Sequence, residues 1–301
     1  MTPTIVYHPD YMAQIRPGHR FPMSKYGFLR ETLTARGLLP ASGGFLSPAP
    51  AGVSQVAAVH DLAYVERVAE ARLTAEEARR IGLPSTPAVA RRAFLSAAGT
   101  LLAGRLALER GVACNMAGGS HHAGPEGGAG FCVFNDVAVA ARALLDEGVV
   151  RRVLVVDCDV HQGDGTARIF AGDPRVLTLS LHAERNYPAR KAVSDLDFPL
   201  PDRLGDAAYL ETLAHALAAT APFAPDLVFY NAGVDPHESD RLGRLALTMD
   251  GLRARDALVL AWARARDLPV AGVLGGGYDD DPWRLAARHA ILFEEAARLA
   301  S

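Results

Sequence analysis

The chain has 301 residues, half of them hydrophobic, with 31 Lys+Arg against 34 Asp+Glu and a formal net charge of −3. That length and apolar content suit one large α/β domain with a sizeable core. Balanced charge with no basic block excludes a protein that grips nucleic acid through its phosphates.

The opening MTPTIVYHPDYM lacks a basic-then-apolar signal pattern, and no run of about 18 apolar residues follows anywhere. No membrane span is expected, and the location expected is the cytoplasm. Thr4–His8 is the first expected strand. A long Ala/Leu/Arg pattern over Pro87–Arg110 predicts a helix, followed by a strand at Val112–Ala117 and a helix at Asn135–Glu147. Strands at Val153–Asp157 and Val176–His182 lead to a helix at Asp206–Ala221. Then come a strand at Leu227–Asn231, a helix at Asp250–Arg266, a strand at Val270–Leu274 and a helix at Pro282–Leu299. Strands apolar on both faces, alternating with helices, predict a central, mostly parallel β-sheet covered by helices on each side. No linker, repeat or low-complexity tract divides the chain, so residues 1–301 are expected to form a single domain. Cys114, Cys132 and Cys158 form no C-x-x-C and leave an odd count, which excludes a disulfide framework and suits a reducing compartment.

Ligands of such sheets collect beyond the carboxyl ends of the strands, and the unusual polar residues lie there. GGSHHAG, with His121 and His122, follows one strand; VLVVDCDVHQGDGT carries Asp157, Asp159, His161 and Asp164 past the next. Ser180-Leu181-His182, NAGVDPHESD and GGGYDD end three more. A lone Asp or His at a strand end is ordinarily a cap or turn residue. Five such ends together point to a site. Several buried carboxylates without a partner would cost several kcal/mol each, so a cation is the expected compensation.

Residues two apart on extended backbone share a face at about 6.6 Å, so neighbours among Asp157, Asp159 and His161 can converge on one ion. All three would span about 13 Å and cannot easily do so unless the chain bends sharply. Asp159 and His161 are therefore the expected ligands, with Asp235 the strongest candidate for the third. Two carboxylates and an imidazole with an open position suit catalytic Zn²⁺ and also accept Fe²⁺, Co²⁺ or Mn²⁺. His121 and His122 offer a base and an acid, and Asp157 and Asp164 can each orient one imidazole. Tyr278, behind Gly275–Gly277, can present a phenol to a developing oxyanion.

In that order, HH at 121–122, D-x-D-x-H-x-x-D-G at 157–165, S-L-H at 180–182, N-A-G-x-D at 231–235 and G-G-G-Y at 275–278 resemble the arginase/deacetylase superfamily. The chain is similar to bacterial members of the zinc-dependent histone deacetylase family. HRFPMSKY, LPSTPAVARRAF, AGPEGGAGFCVFND and HESDRLGRL place it nearest the class IV branch. The resemblance implies a sheet of about eight strands and metal ligands Asp159, His161 and Asp235. It implies the pairs His121–Asp157 and His122–Asp164, with His122 the base and Tyr278 on the oxyanion. Gly130, Phe131 and Gly276 are implied substrate contacts, and Arg20 an arginine beside an internal channel. Asp157, Ser180 and the carbonyls of Asp159, His161 and Leu181 match a structural K⁺ site. The implied substrate is a protein or peptide N-ε-acyl-lysine, with acetyl or longer fatty-acyl groups. The alternative is a small acetylated amine such as an acetylpolyamine, although no N-terminal insertion typical of those enzymes is apparent. An arginase-like reading is opposed by Gly163, where an acid would be needed. A catalytically idle scaffold is opposed by the intact Asp159, His161, Asp235, His122 and Tyr278.

Overall fold

In the computed structural model, which describes residues 4–39 and 45–300, the apolar runs form seven strands. These are β1 (Thr4–Val6), β2 (Val112–Asn115), β3 (Val153–Asp157), β4 (Val176–Ala183), β5 (Leu196–Leu200), β6 (Leu227–Asn231) and β7 (Val270–Val273). The helices are α1 (Lys25–Ala35), α2 (Val53–Val56), α3 (Leu62–Ala69), α4 (Ala75–Ile81) and α5 (Pro87–Arg110). After them come α6 (Asp136–Asp146), α7 (Asp164–Phe170), α8 (Asp206–Ala219), α9 (Met249–Arg264) and α10 (Pro282–Ala300). All strands join one sheet in the order β1-β2-β7-β6-β3-β4-β5, and every pairing is parallel. The sheet thus has seven strands among the described residues, one short of the number implied. Strand β5 was not expected, and α1 to α4 and α7 add to the five predicted helices.

Helices cover both faces, as successive residues of β6 demonstrate. An added Cβ on Gly104 of α5 would meet the Phe229 ring at 3.1 Å, whereas the next residue, Tyr230, donates from its hydroxyl to Asp256 of α9 at 2.6 Å. Neighbouring strand residues point to opposite faces, so α5 and α9 sandwich the sheet. β2, β3 and β6 are buried throughout their lengths, which explains why they read as unbroken apolar runs.

Register aligns the strand ends that carry the site. Asp157 pairs with Ser180 on one side and Asn231 on the other, and Asn231 pairs with Val273. The segments after β3, β6 and β7 therefore leave the sheet at one level, beside Ser180 of β4, which runs on to Ala183.

Candidate active site

Beyond Asp157 the backbone does not stay extended. The amide of Asp159 donates to Asp157 Oδ1 at 3.1 Å and that of His161 to Asp159 Oδ1 at 3.0 Å, so each carboxylate folds the chain back upon itself. The same-face spacing expected from a strand is replaced by turns, and it is Asp159 and His161, not Asp157, that converge with Asp235. His161 Nδ1 lies 2.9 Å from Asp159 Oδ1 and 3.1 Å from Asp235 Oδ2. One ligand atom from each of these three buried residues falls within 4.8 Å of the others. Asp157 turns away, toward His121 Nδ1 at 2.7 Å, and accepts from Asn231 Nδ2 at 2.9 Å.

The second oxygens of the triad are held by backbone. Asp235 Oδ1 accepts from the Val160 amide at 2.8 Å, and Asp159 Oδ2 from the Gly276 amide at 2.7 Å. Asp235 Oδ2 is buried with no hydrogen-bond partner. Its 3.1 Å approach to the imidazole nitrogen is close to the roughly 3.3 Å edge of a tetrahedron with bonds near 2 Å. An orphaned carboxylate oxygen at ligand spacing fits a divalent cation.

The two imidazoles of HHAG sit with ring centroids 4.1 Å apart but in opposite electrostatic settings. Burial works against a charge on His121, but Asp157 and Asp159 outweigh it and raise the imidazole to about 9. For His122, burial and the charge of His121 prevail over Asp164, and the imidazole falls to about 3. His122 Nδ1 is 2.6 Å from Asp164 Oδ1, whose other oxygen accepts from Arg168 at 2.5 Å. One imidazole is thus charged and the other neutral at pH 7. Such a split leaves the neutral ring free to accept a proton while its neighbour carries charge. Burial, then Asp235 and Asp159, keep the Tyr278 phenol well above its ordinary pKa, so it remains a donor. Burial also raises the thiols of Cys114 and Cys158 to about 12, leaving them inert.

A cavity of about 530 Å³ leads down to His122, His161 and Tyr278. Phe131 forms one wall in the left-handed region, at φ 67°, with its ring 6.0 Å from that of Tyr278. Tyr187 lines the same cavity, edge-on to His122 at 4.7 Å. Gly130, at φ 54°, lets the backbone pass close to both of these rings, for an added Cβ would stand 2.6 Å from His122 and 3.1 Å from Tyr187.

Gly276 lies in a smaller inner recess with Gly275, His121, Tyr26 and Arg92. Arg20 is not there; it lines the outer cavity mouth, so the arginine expected beside an internal channel is misplaced. Lys25 lies deeper instead. It is buried, donates to the Gly275 carbonyl at 3.1 Å, and is brought down to about 8 chiefly by burial. Sequence reading also missed Tyr187, Asn231 and Arg255. Arg255 lies wholly inside the protein and reaches the Gly233 carbonyl at 2.5 Å, bracing the segment before Asp235. Ser180 Oγ meets His182 Nδ1 at 3.0 Å and accepts from the Gly163 amide at 3.4 Å.

Comparisons with known proteins agree with this geometry. The histone deacetylase domain matches residues 19–292. The chain is 46% identical over 293 residues to an uncharacterized protein of Picosynechococcus sp., covering 97% of each. It is 30% identical over 298 residues to histone deacetylase 2 of Arabidopsis thaliana, covering 94% of this chain and 76% of the relative. A solved acetylpolyamine aminohydrolase from Burkholderia pseudomallei shares the fold, with a TM-score of 0.77 at 24% identity over 99% of both chains. Among the described residues, no helix is long and apolar enough to cross a membrane. The chain belongs to the histone deacetylase family.

Proposed function

We propose that this protein is a metal-dependent amidohydrolase that removes acetyl or longer fatty-acyl groups from N-ε-acyl-lysine. The observation that carries this reading is the convergence of the Asp159/His161/Asp235 triad, His122 and Tyr278 at the floor of one aromatic-walled cavity. Asp159, His161 and Asp235 would hold the cation, Zn²⁺ or alternatively Fe²⁺. When bound, a divalent ion there supplies Lewis acidity toward the acyl oxygen and acidifies water.

The chain's own groups supply the rest. His122 lines the outer cavity and is held neutral, so its Nε2 accepts the proton of the attacking water while Asp164 fixes the ring through Nδ1. Tyr278 donates a hydrogen bond to the oxyanion that develops at the acyl oxygen as the carbon becomes tetrahedral. His121 stays protonated against Asp157 and adds positive charge from beneath. Protonated His122 then returns its proton to the departing lysine nitrogen. Phe131, Tyr187 and Gly130 shape the passage for the aliphatic stem. A structural K⁺ is assigned to Asp157, Ser180 and the carbonyls of Asp159, His161 and Leu181, a reading supported by the Asp157–Ser180 register.

The test is an acyl series on one lysine peptide, acetyl through myristoyl, with purified protein and defined Zn²⁺. Acetylputrescine in the same assay tests the small-amine alternative. Metal-dependent turnover of acyl-lysine is the expected result, and none on any chain length would overturn the proposal.

A further inference from the structure

The cavity mouth carries one sign of charge although the chain as a whole is slightly acidic. Arg16, Arg20, Arg79 and Arg80 all border the cavity, and no lining residue is acidic. They come from two separate segments, the stretch before α1 and the C-terminal end of α4, and all four are exposed. Among the described residues none of the four makes an ion pair, and Arg16, Arg20 and Arg79 make no side-chain hydrogen bond. Other arginines of the surface are paired: Arg67 with Glu77, Arg244 with Asp202 and Arg284 with Asp279. Glu76, one helical turn before Arg79 and Arg80, and Glu126, next to Gly127, are exposed but pair with none of the four, and other acids are engaged elsewhere. Asp280 meets Arg241, and Asp279 meets Arg284 and Arg288. Arg80 is set in place by its Nε bond to the Gly128 carbonyl at 2.9 Å.

Four unneutralised guanidiniums around a narrow opening focus positive potential on whatever enters it. They repel a substrate whose far end is an ammonium, and they offer a carboxylate or phosphate up to five N–H donors each. We propose that the preferred substrate carries an anionic group just beyond the acylated nitrogen, so that acyl-lysine is taken from acidic sequence surroundings. This rests on the deacylase reading of the same site and deepens it.

Three N-ε-acetyl-lysine peptides, identical except for flanking Glu, Gln or Lys, test the idea. At 50 mM salt kcat/KM for the Glu peptide should exceed that for the Lys peptide by about tenfold, chiefly through KM, and by only about twofold at 500 mM. In the triple variant Arg16→Gln/Arg20→Gln/Arg79→Gln that ratio should fall toward one, with an unchanged melting curve as the check on folding. A small acid, an N-acetylated ω-amino acid, is compared with acetylputrescine. If it outperforms the Glu peptide, the anion belongs to a small metabolite rather than a protein. A Lys-flanked peptide turned over as well as the Glu-flanked one, or a preference that survives in the variant, would overturn the proposal. Absence of turnover on all three peptides, with acetyl and with longer acyl groups alike, would instead remove the deacylase reading itself.

Discussion

Replacing Gly276 by alanine measures how closely the loop before Tyr278 confines the proposed metal ligands. A Cβ at that position would stand 2.1 Å from Asp235 Oδ2 and 2.8 Å from Asp159 Oδ2. Carbon and oxygen rest at about 3.3 Å, so one partner must move by about 1 Å. The loop is poorly placed to yield. Its Gly276 amide donates to Asp159 at 2.7 Å, and its carbonyl accepts from the Val234 amide at 2.8 Å. Displacement therefore falls on the two carboxylates. Overpacking of this kind costs about 1–3 kcal/mol, and a shift of about 1 Å at a reacting centre costs on the order of 100-fold in rate. Expected outcomes are metal affinity reduced about tenfold or more by chelator competition, acetyl-lysine turnover reduced about 100-fold, and melting lowered by a few degrees. Gly205→Ala is the control, because nothing lies within 4 Å of its added Cβ and its φ is −94°. Metal affinity within about twofold of the parent, together with normal turnover, would refute the confinement of the ligands by this loop.

Tyr278→Phe should keep the metal content while lowering kcat by about 100-fold to 1000-fold; unchanged kcat would dismiss the phenol as oxyanion donor. Arg255→Leu strands Asp256, its partner at 2.8 Å, in the interior, and urea unfolding should show a loss of about 3–5 kcal/mol that Arg255→Leu/Asp256→Leu partly restores. The arginines beside Glu77 and Asp173 depress both carboxyls to about 2 from 4.5 and 3.8. Their stabilisation is present above the unfolded values and is lost as pH falls toward about 2. Urea midpoints should therefore drop below pH 4.5, less so in Arg67→Met, with each surface pair worth about 0.5 kcal/mol after screening.

What could be read from the sequence divides along physical lines. Strands buried on both faces announce themselves as apolar runs, and β3 and β6 begin and end where expected. Strand β5 hides because it lies at the sheet edge, half exposed, as LDFPL with a proline that only an edge strand tolerates. Asp159, His161 and Asp235 were visible because charge at the end of a buried strand is costly and so demands an explanation. Lys25 gave no comparable signal, since a lysine near a helix start is ordinarily solvated. Only the tertiary approach of α1 to the glycine loop, 250 residues away, buries it. Arg20 was misplaced for the same reason: five positions separate the two cations, but one faces the mouth and the other the interior.

Metal removal separates a ligand triad from a cluster of acids that merely share a pocket. Burial and the charge of Asp159 push the Asp235 carboxyl up, while His121 and His161 outweigh burial and hold Asp159 well down. Two buried carboxylates this close cannot both be ionised on equal terms, and His161 alone leaves Asp235 Oδ2 without a hydrogen bond. A divalent cation satisfies both oxygens together, so binding must favour the folded state. At a free concentration of about 100 times Kd the gain is about 2.7 kcal/mol, which for a chain of this size raises Tm by about 5 °C. Melting curves with chelator and with defined Zn²⁺ measure this without reference to activity. In Asp235→Ala the orphaned oxygen is gone, so the shift should vanish, while the metal-free protein loses the acceptor of the Val160 amide and melts a few degrees below its parent. Identical melting with and without metal in the parent, or a full shift in the variant, would mean that these three residues do not hold an ion.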